Sequence, residues 1–101
     1  MIMVKILLVC NAGMSTSVLV EKMKKVAAQK NIECKIWALS SSEAKTLNED
    51  VDVVLIGPQL KFAINEIKKI FPDKPVAAID MKIYGLMNGE GALKQALDLV
   101  K

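Results

Sequence analysis

Hydrophobic positions follow two different spacings along this chain, and the changes of spacing divide it into short alternating elements. Four mainly apolar runs have the length and composition of strands, at residues 4–9, 32–39, 51–56 and 76–79. Between them, apolar residues recur three and four positions apart, which predicts helices at residues 16–30, 59–71 and 91–100. Ser40 followed by Glu43 is a capping-box sequence and predicts a short further helix that ends near Asn48. The glycines at positions 85, 89 and 91 favour a loop over residues 81–90.

This order of elements predicts one α/β domain that spans residues 1–101. Repeated strand–helix–strand units with right-handed crossovers give an open, doubly wound, four-stranded parallel sheet with helices on both faces. The second strand carries Glu33, Lys35 and Trp37 on one face, so we expect it to lie half exposed at an edge of the sheet. Placed beside the first strand, it gives the strand order 2-1-3-4. Ligands of such sheets bind outside the carboxyl ends of the strands where the order reverses, here between the first and third strands.

The first strand runs directly into a segment of small and polar residues that suits an anion. Cys10 ends the strand, and the residues that follow are Asn11, Ala12, Gly13, Met14, Ser15, Thr16 and Ser17. A helix N-terminus carries unpaired N–H groups and about half a positive charge. A curled loop before the helix can aim further N–H groups at the same point, which makes a phosphate site. Small side chains in the loop let the backbone approach a ligand, and the three hydroxyl groups can donate to phosphate oxygens.

The thiol of Cys10 is therefore the candidate nucleophile of the chain. Facing such a site, it should lose its proton below the free-thiol pKa of about 8.5, because the positive potential favours the thiolate. Two plainer interpretations stay open. A cysteine at the end of a core strand is often simply buried, and one of the hydroxyl residues from Ser15 to Ser17 is expected to cap the helix.

The spacing around Cys10 is close to that of the low-molecular-weight tyrosine phosphatases, C-x5-R-S/T. Thr16 stands at the position of the phosphatase arginine, and Ser17 follows it. A phosphatase needs the guanidinium group to clamp the transition state, and an acid for the leaving group. Without a fixed cation, the loop should hold a phosphoryl group without hydrolysing it efficiently, as a carrier requires. The alternatives are a phosphatase or arsenate-reductase-like enzyme and a non-catalytic regulator or anion-binding module.

Composition argues against several other classes of function. The chain has 14 basic and 11 acidic residues and no histidine, and its net charge of +3 is too small and scattered to indicate nucleic-acid binding. Phe62 and Phe71 are assigned to the apolar stripe of a helix, so they offer no platform for stacking bases. Cys10 and Cys34 form no CxxC motif, which is typical of reduced thiols in a cytosolic protein. We expect Cys34 to be a half-buried strand residue, and we expect no metal site and no cofactor.

Several segments together resemble the enzyme IIB component of the bacterial phosphotransferase system, in its lactose/cellobiose/chitobiose family. They are residues 6–17, with the sequence ILLVCNAGMSTS, residues 52–59, with the sequence DVVLIGPQ, and the pairs Ile79-Asp80 and Tyr84-Gly85. The resemblance covers essentially the whole chain, and its segment C-x-A-G-M-S-T-S is highly specific. It implies four parallel strands with flanking helices, in agreement with the elements predicted above.

The resemblance also implies a phosphotransferase that works through a phosphocysteine. Cys10 would accept a phosphoryl group from a histidine of the IIA component and pass it to a sugar that enters through the membrane permease IIC. The protein would then be cytoplasmic and would meet the membrane only through this partner. The sugar, of the cellobiose, chitobiose or lactose type, is left open because sugar selection belongs mainly to the permease.

A few residues outside the loop have roles that the sequence leaves open. Pro58 and Gln59 either begin a helix or have a functional role, as a wall beside the phosphoryl site or a contact for partners. Tyr84 is a candidate docking residue on the same rim. Asp80 ends the fourth strand at the same edge and is expected to have a structural capping role, since its carboxylate would oppose a phosphate. Met14, an adaptable apolar residue, suits contact with more than one partner or folds back onto its helix.

Overall fold

Strands and helices alternate along the chain in the order that the apolar runs predict. The structure, a computed structural model, describes residues 3–10 and 14–100, with only the backbone of residues 14 and 15. Within these ranges the strands are β1 (Val4–Val9), β2 (Cys34–Leu39), β3 (Val53–Ile56) and β4 (Val76–Ala78). The helices are α1 (Met14–Gln29), α2 (Ser41–Lys45), a 3₁₀ helix (Pro58–Ala63), α3 (Ile64–Ile70), α4 (Met81–Gly85) and α5 (Gly89–Val100).

The strand pairs of the described sheet are all parallel, and their order is β2-β1-β3-β4. This confirms the predicted order 2-1-3-4 and the position of β2 at an edge. β1 is central: Leu8 lies opposite Ala38 of β2 on one side and Leu55 of β3 on the other. The carboxyl ends of β1 and β3 therefore lie side by side at the reversal of strand order, where ligands bind in sheets of this type.

Alternate side chains of β1 enter two separate hydrophobic clusters, which places helices on both faces of the sheet. Ile6 and Leu8 pack with residues of α1 and α5, whereas Leu7 and Val9 pack with residues of α2 and α3. All four side chains are fully buried. Because burying one such side chain contributes about 1.5–3 kcal/mol, these contacts fix the register of β1 and the position of the residue that follows it.

The capping box at the start of α2 is confirmed. The Ser40 hydroxyl accepts from the Glu43 N–H at 3.2 Å, and the Glu43 carboxylate accepts from the Ser40 N–H at 2.9 Å. The helix is shorter than predicted and ends at Lys45. Because the capped helix begins directly after β2, it fixes the carboxyl end of that strand.

The helix predicted over residues 59–71 is two helices. A 3₁₀ helix (Pro58–Ala63) comes first, with a kink at Leu60, whose φ of −106° and ψ of 17° are not helical, and α3 begins only at Ile64. A 3₁₀ helix has about three residues per turn, so its stripe differs from that of an α-helix. Leu60 is buried and Phe71 packs against the core as expected, but Phe62 is 84% exposed, and its assignment to the apolar stripe is wrong.

The prediction of a loop after β4 is also wrong, because α4 and the start of α5 occupy this segment. Asp80 caps α4 as expected: its Oδ1 accepts from the N–H groups of Lys82 and Ile83 at 2.9 and 3.3 Å. Gly89 belongs to α5, where a Cβ would come within 2.6 Å of the Lys22 carbonyl carbon in α1. Close packing of two helices, and not a turn, therefore accounts for this glycine.

Candidate functional site

Cys10 lies at the carboxyl end of β1, held from both sides by the backbones of neighbouring strands. Its N–H donates to the Leu39 carbonyl of β2 at 3.0 Å, and the Gly57 N–H after β3 donates to the Val9 carbonyl at 2.9 Å. Only 5% of Cys10 is exposed. The sheet thus places the thiol at the reversal of strand order, where the sequence predicts the ligand site.

The segment after Cys10 leads into the N-terminus of α1, a helix of 16 residues that begins at Met14. This start is two residues earlier than predicted, so the N-cap position is not one of the hydroxyl residues from Ser15 to Ser17. The predicted phosphate contacts of Asn11, Ala12 and Gly13, and those of the Met14 and Ser15 side chains, lie outside the described residues. The early start brings the positive end of the helix within four residues of Cys10.

Thr16, in the first turn of α1, has a buried hydroxyl group. It is completely buried, and its Oγ1 has no hydrogen-bond partner among residues 3–10 and 14–100. A buried hydroxyl without a partner costs roughly 1–3 kcal/mol, and such groups are rare in folded proteins. The next two side chains of the helix, Ser17 and Val18, are exposed. The residue at the position of the phosphatase arginine is therefore an inward hydroxyl.

Gly57 and Gln59 adjoin Cys10 from the neighbouring strand. A Cβ built on Gly57 would lie 3.8 Å from the Cys10 Sγ and 2.9 Å from the Gln59 Oε1. Pro58 begins the 3₁₀ helix, as the sequence predicts for a proline at this point, and Gln59 is exposed. The structure thus brings Gln59 near the candidate nucleophile, in the region where a wall of the site is expected.

Tyr84 differs from the expectation of a residue on the rim. Its side chain is only 8% exposed and packs in the core cluster between the sheet and helices α1 and α5. Its hydroxyl is buried without a hydrogen-bond partner in the described part of the chain. A ring in this position cannot present a docking surface. Periodicity could not reveal this burial, because no local pattern marks Tyr84 as part of a helix.

The end of β4 is tied to α5 by a residue that sequence reasoning missed. The Gln95 side chain accepts from the Asp80 N–H at 3.3 Å and donates to the Ala78 carbonyl at 2.9 Å. A glutamine on a helix gives no signal of such a contact. Together with the Asp80 cap, this pair of hydrogen bonds fixes the carboxyl end of β4 beside the site.

A groove of about 510 Å³ opens next to the ends of β3 and β4. Its walls include Pro58, Lys61 and Met81. The segments that follow these strands carry large apolar side chains in solvent: Phe62 is 84%, Met81 78% and Leu86 77% exposed. Met81 lines the groove, and Phe62 follows the groove residue Lys61 in the chain. A groove bordered by exposed apolar side chains is a candidate interaction surface. The sequence did not predict this surface, because it placed Phe62 in the core and Met81 in a loop.

The second cysteine lies away from this edge, at the start of β2. The Cys34 thiol is partly buried, as expected, and its Sγ is 3.7 Å from the Ile32 carbonyl oxygen. Burial raises the pKa of this thiol, which keeps it protonated near neutral pH. Among the described residues, no group of three or more His, Cys, Asp or Glu side chains could hold a metal ion. Likewise, none of their helices has the length and apolar character to cross a membrane.

Comparison with known proteins identifies relatives of one kind. The sequence model of the family described as "PTS system, Lactose/Cellobiose specific IIB subunit" matches residues 5–95. The oligo-beta-mannoside-specific EIIB component of Bacillus subtilis is 45% identical over 100 residues, which cover 97% of each chain. The cellobiose-specific EIIB component of Lactococcus lactis is 39% identical over 102 residues, which cover 94% of each chain.

Two solved structures extend the comparison to the fold. The cellobiose-specific IIB component of Borrelia burgdorferi has a TM-score of 0.79 and 38% identity, over 96% of this chain and 91% of the other. The lactose-specific IIB domain of Streptococcus pneumoniae has a TM-score of 0.85 over 99% and 100%, and at 14% identity it bears on the fold alone. The family model matches most of the chain, and the two EIIB components above are 39–45% identical to it over nearly their whole length. The protein therefore belongs to the lactose/cellobiose-specific IIB family of the phosphotransferase system.

Proposed function

We propose that Cys10 carries the phosphoryl group of a sugar phosphotransferase system. As a IIB component the protein is a phosphotransferase; the proposal is that a histidine of the IIA component donates to this thiol, and that a sugar carried by the IIC permease receives the group. The observation that supports it most is the position of Cys10. The residue is held by two neighbouring strands at the reversal of strand order, four residues before the N-terminus of a long helix.

Both steps are substitutions at phosphorus. The Cys10 thiolate is the nucleophile in the first step and the leaving group in the second. In the first, the Cys10 sulfur attacks phosphorus, the S–P bond forms, and the P–N bond to the donor histidine breaks with its electron pair returning to the imidazole. In the second, a sugar hydroxyl oxygen attacks phosphorus, its proton passes to water or to a base of the permease, and the S–P bond breaks to restore the thiolate. The N-terminus of α1 favours the anionic sulfur before transfer and the phosphoryl dianion after it.

Thr16 supports a carrier more than a hydrolase. Its buried hydroxyl has no partner among the described residues, and a phosphoryl oxygen on Cys10 would accept its hydrogen. We assign the rest of the binding loop to Asn11, Ala12, Gly13, Met14, Ser15 and Ser17. A neutral hydroxyl in place of the phosphatase guanidinium stabilises the pentavalent transition state less. The phosphocysteine should therefore persist until an acceptor arrives.

The partner surface is proposed around the groove beside the ends of β3 and β4. Met81 exposes a large apolar side chain in the groove that Pro58 and Lys61 also line, and Phe62, which follows Lys61 in the chain, exposes another. Exposed apolar side chains at the carboxyl edge of the sheet support docking of the donor and the permease on the side where Cys10 lies. The relatives are specific for oligo-beta-mannoside, galactose and cellobiose, so the sugar of this system stays open.

The test is phosphorylation with phosphoenolpyruvate, the general phosphotransferase proteins and the IIA component of the same system. We expect one adduct, stable to neither strong acid nor base, that maps to Cys10. Cys10→Ser should abolish the adduct and sugar phosphorylation with little loss of stability. Cys34→Ser is the matched control and should retain both. An adduct on another residue, or full activity of Cys10→Ser, would refute the proposal, and rapid turnover of p-nitrophenyl phosphate would favour a phosphatase.

A further inference from the structure

Gly57 has a backbone that any amino acid can adopt, yet a side chain there would displace a neighbouring group. Its φ of −57° and ψ of 142° lie in the ordinary extended region. The restriction is spatial: a Cβ would lie 2.9 Å from the Gln59 Oε1, which is closer than real Cβ contacts. The same Cβ would lie 3.8 Å from the Cys10 Sγ, an ordinary van der Waals distance. The group that a side chain at position 57 would displace is thus the Gln59 carboxamide, the end of an exposed side chain.

From this contact we infer that Gln59 is a positioning residue for the phosphoryl group on Cys10, and that Gly57 is small in order to seat its carboxamide there. The inference rests on the proposed function, because it names a residue for the same transfer. Gln59 is exposed, and its side chain makes no hydrogen bond to any residue that the structure describes. Its two N–H hydrogens are therefore available to a ligand on the neighbouring sulfur.

A carboxamide has the properties that this site needs. It donates hydrogen bonds to the phosphoryl oxygens but carries no charge, so it orients the group without the strong clamp of a guanidinium. Orientation for in-line attack contributes to the rates of both transfer steps. Gln59 approaches the sulfur from β3, whereas the N-terminus of α1 follows β1, so the two would hold the group from different sides.

Three variants test the inference on the full chain. The rate of transfer from the phosphorylated IIA component is measured at saturating donor, together with its KM. Gln59→Ala should lower the rate constant by about tenfold to a hundredfold, as expected for loss of a hydrogen bond to a charged group, with KM little changed. Gly57→Ala should cause a similar loss because its methyl group displaces the carboxamide. The double variant should be no slower than Gln59→Ala, since the two changes remove the same interaction.

Gln59→Glu adds a second measurement, the pH dependence of the transfer rate, which would not change if Gln59 had only a structural role. The new carboxylate repels the phosphoryl dianion, so transfer should fall below that of Gln59→Ala at about pH 8 and recover as the pH falls towards 5 and the carboxyl is protonated. The control is Gln29→Glu, which makes the same change at an exposed glutamine at the far end of α1. It should leave the rate and its pH profile unchanged.

The outcomes separate this inference from the proposed function. If wild-type protein gives no phospho-Cys10, the proposed function fails. If phospho-Cys10 forms and Gln59→Ala transfers at the wild-type rate, or changes KM alone, the positioning role is refuted while the carrier function stands. If the double variant is much slower than Gln59→Ala, the methyl group introduced by Gly57→Ala obstructs the phosphoryl group directly, and the role assigned to Gly57 is wrong.

Discussion

Replacing Thr16 by valine should stabilise the unphosphorylated protein and impair its function. Thr16 is fully buried, and its hydroxyl has no partner among the described residues. Valine has nearly the same shape and a similar helix propensity, so the substitution removes an unpaired polar group and little else. Burying such a hydroxyl costs roughly 1–3 kcal/mol. We therefore expect the free energy of unfolding to rise by about 1 kcal/mol, which corresponds to about 4–8 °C in Tm for a domain of this size.

The same substitution should slow phosphoryl transfer. If the Thr16 hydroxyl donates to a phosphoryl oxygen on Cys10, its loss removes a hydrogen bond to a charged group and reduces the transfer rate by about tenfold or more. Phosphorylation should also stabilise the wild type more than Thr16→Val, because only the wild type gains this bond. The two effects have opposite signs in one variant, which loss of packing alone cannot produce.

The assay combines urea unfolding of both forms with single-turnover transfer from the phosphorylated IIA component. Thr16→Ser is the matched control. It keeps the hydroxyl and removes a buried methyl group, so it should lose about 1 kcal/mol of stability and keep most of the transfer rate. A Thr16→Val protein that is less stable than wild type, with normal transfer, would show that the hydroxyl is already paired and would refute the reasoning.

Four further predictions rest on the exposure or packing of single residues. Alkylation of Cys10 should begin below the pH range of a free thiol, because the N-terminus of α1 is expected to favour its thiolate. Burial raises the pKa of Cys34, so alkylation of this thiol should need a more alkaline pH. If peptide mapping shows that Cys34 reacts at lower pH than Cys10, both assignments are wrong. Since the unfolded Cys34 thiol ionises first, its contribution to stability should be present at neutral pH and be lost as the pH rises through the folded pKa. Phe62→Ser should leave unfolding unchanged, because the side chain is 84% exposed, but raise KM for the donor; an unchanged KM would remove Phe62 from the partner surface. Gly89→Ala should destabilise the protein by roughly 1–3 kcal/mol, because the new methyl group would lie 2.6 Å from the backbone of α1. Gly85→Ala, whose methyl group would meet nothing within 4 Å, should leave the stability unchanged or raise it by up to about 1 kcal/mol. Thermal unfolding measures both, and equal effects at the two sites would contradict the packing argument.

The sheet could be predicted from the sequence because its signals are local and agree with one another. The apolar runs, the polar face of β2 and the Ser40–Glu43 box each act within a few residues, and together they fix the order of strands. The same local signals failed after β4. Gly89 is required by contact with Lys22, far away in the chain, and no local rule distinguishes such a glycine from one in a turn.

The site was predictable in part for the same reason. The position of Cys10 follows from the strand that ends there, and the capping role of Asp80 was expected from its place at the end of the fourth strand, although the helix that it caps was not. The burial of Tyr84 and the contact between Gly57 and Gln59 depend on packing that no local pattern in the sequence describes. Phe62 was misplaced because an apolar residue near the spacing of a helix was assumed to face the core, whereas the 3₁₀ turn directs it to solvent.

A carrier must bind a phosphoryl group firmly enough to accept it and loosely enough to release it. A fixed guanidinium beside the sulfur would stabilise the transition state for attack by water as well as by sugar. The N–H groups at the start of α1, the Thr16 hydroxyl and the Gln59 carboxamide are neutral, so in the proposed carrier each would donate to the phosphoryl oxygens without a full charge. Transfer would then depend on the partner to supply the missing stabilisation, and the group would leave only when an acceptor is docked. The proposed docking surface, with the exposed Met81 in the groove, would bring such a partner to the edge of the sheet where Cys10 lies.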